Sequence, residues 1–154
     1  MSRAFVKESD QDLSSLPELE ISPHPNFVTA SGHDALVRRV RELEAERTEA
    51  RSAGDEARLA RVARDLRYFQ ARRDSARLVV PAGTPDAVRF GTRVELAYAD
   101  GRQAAFRLVG EDESDPGAGL IAYVAPLARA LMGLQVGDEL TVGGVPATIV
   151  AISA

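Results

Sequence analysis

The chain has 154 residues, 45% of them apolar, and a net charge of −4; this fits one ordinary domain of ~100–200 residues and excludes a large multidomain enzyme. With no Cys, no Trp and 5% aromatics, it has no thiolate catalysis, disulfides, cysteine-bound zinc or iron–sulfur clusters, and little with which to stack bases or sugars. No stretch approaches the ~18 apolar residues of a membrane span, and the start MSRAFVKESDQD lacks the apolar core of a signal peptide, so a soluble cytoplasmic protein with no membrane contact is expected.

Residues 1–26 mix Ser, Asp, Glu and three prolines and carry two basic against five acidic groups. Each Pro disfavours helix in the residue before it, which predicts a flexible leader. His24 and His33 have no second His at metal-ligand spacing and read as exposed and inert.

Residues 27–79 read as an antiparallel helical hairpin. Thr29 and Ser31 are both suitable N-caps, and Leu36, Val40 and Leu43 then fall on one helical face. Gly54-Asp55 interrupts the pattern, and Leu59, Val62, Leu66 and Phe69 resume it with spacings of 3, 4 and 3, an a/d-like seam. Arms of roughly 22 residues would extend about 33 Å. Near the turn, Arg47, Arg51, Gly54 and Arg58 replace large apolar groups, so the tip at 54–56 is expected to project into solvent. Asp55 and Glu56 stand at this tip, where the plain reading is favourable interaction with a helix macrodipole.

Residues 31–78 hold 12 Arg against nine acids, the one basic section of the chain. Arg58, Arg61, Arg64 and Arg67 advance by three and form a stripe. Such a stripe attracts nucleic-acid phosphates or is a solvated helix face.

Residues 80–87, with Pro81, Gly83 and Pro85, form a linker, and 88–154 form a sheet domain. Alternation predicts strands at 93–98 and 105–109 joined at Asp100-Gly101, a third at 120–124, and further strands at 139–142 and 147–152 joined at Gly143-Gly144. Pro126 suits the first turn of a short helix over 127–132. The acidic run Glu111 to Asp115 lacks the ligand spacing of a calcium loop and reads as a solvated turn. With two histidines and no Cys, no nucleophilic triad is defensible. The fold class is α+β: an N-terminal helical hairpin, then a small sheet domain with one short helix.

Three motifs in the second part resemble the GreA/GreB bacterial transcript elongation factors: Phe90-Gly91-Thr92-Arg93-Val94, then Leu108-Val109-Gly110-Glu111-Asp112-Glu113-Ser114-Asp115, then Ala125-Pro126-Leu127-Ala128-Arg129-Ala130-Leu131-Met132-Gly133 followed by Val136-Gly137-Asp138. Upstream, Phe27-Val28-Thr29-Ala30-Ser31-Gly32 is similar to the family's entry into its first helix, and Gly54-Asp55 to its hairpin tip. The resemblance implies a coiled coil joined to an FKBP-like domain (88–154). It implies docking of that domain on bacterial RNA polymerase at the secondary channel, with Ala125, Pro126, Leu127 and Arg129 in the contact loop. It also implies a tip that helps hold a catalytic Mg²⁺ shared with the polymerase, and no cofactor or metal of the chain's own.

Two departures bear on activity. The family's tip carries an Asp and, three positions on, a Glu; here Asp55 is followed by Arg58. The arms also look about two turns shorter, which would withdraw the tip by ~11 Å. The expectation is a monomeric, non-enzymatic polymerase-binding elongation regulator without efficient transcript cleavage, near the short-hairpin regulators of nucleoside diphosphate kinase, meeting DNA and RNA only within the transcription complex. The alternatives are a cleavage factor using Asp55 and Glu56, or a peptidyl-prolyl isomerase or chaperone, for which Phe90, Tyr98, Phe106 and Tyr123 are the aromatic resource. In the contact loop Ala125 replaces a Ser, and Leu134 stands where a Lys is common.

Overall fold

The computed structural model describes residues 16–154. They divide into two compact units, one of residues 16–22 with Leu36–Asp74 and one of Pro23–Ala35 with Ser75–Ala154. The first 15 residues of the expected leader lie outside the described residues. Residues 16–22 have no regular secondary structure.

The first unit is built on α1 (Ala30–Ser52) and α2 (Glu56–Ser75). Val40 and Leu43 of α1 meet Val62 and Leu66 of α2, with Phe69 packed at the edge. Leu36 and Ala50 are also buried, so the seam runs almost to the turn and ends there on the small side chain of Ala50. α1 ends in a Schellman motif: Gly54 takes φ +64°, its N–H reaches Arg51 O at 3.2 Å, and the Asp55 N–H reaches Ala50 O at 3.0 Å. Residues 51–57 are all exposed, as the polar seam predicted.

The second unit centres on a five-stranded sheet, ordered β5-β4-β3-β7-β6, with β3 (Arg93–Tyr98), β4 (Gln103–Val109), β5 (Leu120–Ala122), β6 (Glu139–Val142) and β7 (Val145–Ser153). All neighbours are antiparallel except β4 and β5. One face packs against α3 (Pro126–Leu131), whose Ala128 and Leu131 are buried with Val94, Leu96, Leu108, Ile121 and Ile149. Truncating such a Leu to Ala costs about 2–5 kcal/mol, so these side chains dominate the unit's stability. Register slips between Glu95 and Leu96, which pair with Ala151 and Ile149. The extra residue, Val150, is 49% exposed. The bulge lets Ile149 and Ile152 share the core side although they are three apart.

A second, two-stranded parallel sheet joins β1 (Phe27–Val28) to β2 (Arg77–Leu78). Asn26 adds a side-chain bond to Ser75 at 3.1 Å. Residues 27–35 and 75–79, read from the sequence as part of the hairpin, fall in the compact unit that holds the five-stranded sheet. The linker region 80–87 contains no helix or strand.

Candidate functional site

At the tip, Asp55 is the N-cap of α2: its Oδ1 accepts the Arg58 N–H at 3.0 Å. The Arg58 side chain turns back to α1, where its Nε meets Glu46 at 3.3 Å and its Nη2 meets Glu49 at 3.2 Å. Those hydrogen bonds, Glu46 first, hold the guanidinium above its ordinary pKa. Glu56 lies exposed in the first turn of α2. The tip therefore offers one committed carboxylate, one exposed carboxylate and a cation bound between two acids. This donor set does not suit a resident Mg²⁺, which favours converging carboxylate oxygens. Among the described residues no three His, Cys, Asp or Glu side chains gather to hold a metal.

The arginine stripe is largely neutralised. Besides Arg58, Arg64 pairs with Asp65 at 2.9 Å and Arg67 forks onto Glu18 through Nε and Nη2. The Arg67 hydrogen bond draws the Glu18 carboxyl below its ordinary pKa, and Arg67 is raised in turn. Arg61 is exposed and has no ion pair among the described residues.

In the second unit, Ala125 is the N-cap of α3 and makes no side-chain cap bond; Pro126 takes the first helical position. Pro126 and Arg129 are exposed, while Leu127 is half-buried and packs against the core. The start of α3 thus presents Pro126 and Arg129 outward, with Met132 and Val136 exposed at 39% and 59%. Leu134 packs against the core, and its carbonyl accepts the Val88 N–H at 2.8 Å.

The acidic run after β4 is more than a solvated turn. It forms a 3-10 turn (Glu111–Glu113), and Glu113 turns inward. Its carboxylate accepts the Thr29 N–H at 3.2 Å, the Thr29 hydroxyl, and the Gly110 N–H at 3.3 Å. Thr29 Oγ in turn accepts the Gly32 N–H at 3.0 Å, which makes Thr29, rather than Ser31, the N-cap of α1. Sequence reasoning missed this role because nothing in the local pattern says which distant helix start a carboxylate will meet.

Three of the aromatic side chains, Phe27, Phe90 and Tyr123, pack on one another at centroid distances of 5.4 to 5.9 Å. Tyr98 lies under Arg102 at 4.9 Å, and Phe106 packs against the core. A hollow of about 470 Å³ between Val79, Val80, Pro81, Val109 and Leu120 has no aromatic ring in its lining.

No helix of the described residues is long and apolar enough to cross a membrane. Residues 83–153 match the family model described as transcription elongation factor, GreA/GreB, C-term. The chain is similar to the transcription elongation factor GreB of Yersinia pestis, 34% identical over 136 residues that cover 76% of this chain and 80% of that one. Against GreB of Xanthomonas axonopodis pv. citri (strain 306) it is 43% identical over 83 residues, 53% of this chain and 49% of the relative. Among solved structures, the GreA factor homolog 1 (Gfh1) of Thermus thermophilus aligns with a TM-score of 0.42 at 21% identity, covering 85% of this chain and 100% of that one.

Proposed function

Since this chain belongs to the GreA/GreB family of transcription elongation factors, we propose that it binds bacterial RNA polymerase at the secondary channel and regulates elongation without efficiently stimulating transcript cleavage. Docking runs through the contact loop, with Pro126 and Arg129 as the outward groups, Leu127 holding the helix to the core and Ala125 leaving the loop without a side-chain cap. The hairpin presents Asp55 and Glu56.

The observation that carries the non-cleaving part is the state of Arg58. Where a cleaving tip needs a second carboxylate near Asp55, this chain has a guanidinium tied to Glu46 and Glu49. A guanidinium offers Mg²⁺ no oxygen ligand at that position, while Asp55 spends an oxygen on capping α2. In this reading the chain has no active site or cofactor of its own, any Mg²⁺ belongs to the polymerase, and the chain acts as a cytoplasmic monomer. Its contact with DNA and RNA comes through the transcription complex, because the ion pairs of Arg58, Arg64 and Arg67 leave little free positive charge on the stripe. The packing of Phe27, Phe90 and Tyr123 against one another disfavours the isomerase alternative.

The test is RNA release from a stalled, backtracked complex of the cognate polymerase at saturating protein. Release at the rate of buffer supports the reading. Acceleration that is lost in Asp55→Asn would replace it with the cleavage-factor alternative.

A further inference from the structure

The contact loop begins without its own restraint. An Ala N-cap forfeits the side-chain bond that a Ser supplies, worth about 1 kcal/mol, and α3 has only six residues. The turn before it is closed by the Ala125 N–H to Ala122 O, and the helix starts with the Arg129 N–H to Ala125 O, both at 2.9 Å. Something outside this short stretch must hold it in one conformation.

Tyr123 stands three residues before Pro126 and is anchored on several sides. Its N–H bonds Val109 O at 2.9 Å. Its ring meets Phe27 at 5.4 Å and Phe90, edge-on, at 5.6 Å. Its hydroxyl donates to the Pro25 carbonyl, an oxygen that also accepts the Phe27 N–H at 3.0 Å. The acceptor is therefore ordered in advance: the three-residue turn at Pro25–Phe27 fixes its direction, and the Pro25 ring restricts the backbone. Pro23, His24 and Pro25 are exposed.

We propose that Tyr123 is a positioning residue for polymerase docking, and that the Pro23–Asn26 segment, acting through the Pro25 carbonyl, is part of the docking apparatus. The inference rests on the docking reading of Pro126. Tyr123 does not itself meet the partner in this account. It holds the turn that presents Pro126 and Arg129, so that binding does not have to order the loop at the moment of contact.

Tyr123→Phe in the full chain keeps the ring and removes only the hydroxyl. Two readouts are needed: amide hydrogen exchange of the free chain, and affinity for the cognate core polymerase. The expected result is severalfold faster exchange at Ala125 and Arg129 with β3 and β7 unchanged, an unfolding midpoint lowered by no more than the loss of one hydrogen bond requires, and affinity about three- to tenfold weaker, the scale of one net hydrogen bond. Tyr123→Leu, which also loses the ring contacts, should weaken binding further. Unchanged exchange in Tyr123→Phe overturns the ordering role. Faster exchange with wild-type affinity overturns the docking role. A wild-type chain that does not bind polymerase sinks the docking reading and the docking half of this inference, while the exchange result still decides whether Tyr123 orders the loop.

Discussion

Glu113 and Thr29, 84 residues apart in the chain, are joined twice: the Glu113 carboxylate accepts both the backbone N–H and the hydroxyl of Thr29. A carboxylate at a helix start satisfies donors that have no partner within the helix and interacts favourably with the macrodipole. Because Thr29 also caps α1 through the Gly32 N–H, the acid-bearing turn after β4 and the entry to the first helix form one hydrogen-bonded unit.

Removing that carboxylate should therefore cost more than a surface charge does. Glu113→Ala is expected to destabilise the chain by about 1–3 kcal/mol, the range for leaving partly buried donors unsatisfied, with Glu113→Gln intermediate. Urea unfolding checks this; a loss near zero would return the acidic run to the status of a solvated turn.

The two buried glycines beside Glu113 should behave oppositely in that background. A Cβ on Gly32 would lie 2.2 Å from the Glu113 carboxyl, whereas one on Gly110 would lie 2.4 Å from the Phe27 backbone oxygen. Gly32→Ala should destabilise the wild type but be neutral or stabilising in Glu113→Ala, where the obstacle is gone and Ala is preferred over Gly in a helix by up to about 1 kcal/mol. Gly110→Ala should stay destabilising in both, since β1 cannot retreat. A double-mutant cycle showing simple additivity at Gly32 would contradict the contact.

At the tip, capping and any metal-directed role of Asp55 separate cleanly. Asp55→Asn keeps a capping oxygen and should retain wild-type stability, whereas Asp55→Ala should lose about 1 kcal/mol. Thermal unfolding of the pair reads this directly, and equal losses would argue against the cap.

The Glu18–Arg67 pair predicts a pH dependence with a definite sign. The folded Glu18 pKa lies below its ordinary 4.5 through the Arg67 hydrogen bond, so its contribution is present above 4.5 and is lost as pH falls through the folded value. Glu18→Gln should be slightly less stable than wild type at neutral pH, with the difference vanishing below that window. The pair is largely exposed, so the effect is small and weakens with salt. A gap that persists unchanged at low pH would contradict the assignment.

Much of the fold is legible in the sequence because its signals are local. The strands at 93–98 and 139–142 coincide with the expected ones, and Pro126 opens α3 as its fixed φ predicts. Of the seam residues, Leu36, Val40, Leu43, Val62 and Leu66 are buried, and Leu59 and Phe69 are half-buried. What escapes is long-range. The β1–β2 pairing rests on two-residue strands with no periodicity to read. Spacing shows that Arg58, Arg64 and Arg67 form a stripe, but not that Glu46, Glu49 and Glu18 come across to meet them. Glu113 and Tyr123 are single residues whose roles depend on partners 84 and 98 positions away. At the tip, the spacing of Asp55 and Arg58 reveals the departure from a paired-carboxylate pattern, and the geometry adds what Arg58 does instead.

Docking through the Pro126 loop is tested by the equilibrium affinity of the full chain for its cognate core polymerase, wild type against Pro126→Asp/Arg129→Glu. Both positions are exposed, so the double variant should fold normally. Wild type should bind, and the variant should lose about tenfold or more in affinity, or ~1.4 kcal/mol. No wild-type binding, or equal affinity for the two proteins, would contradict docking through this loop.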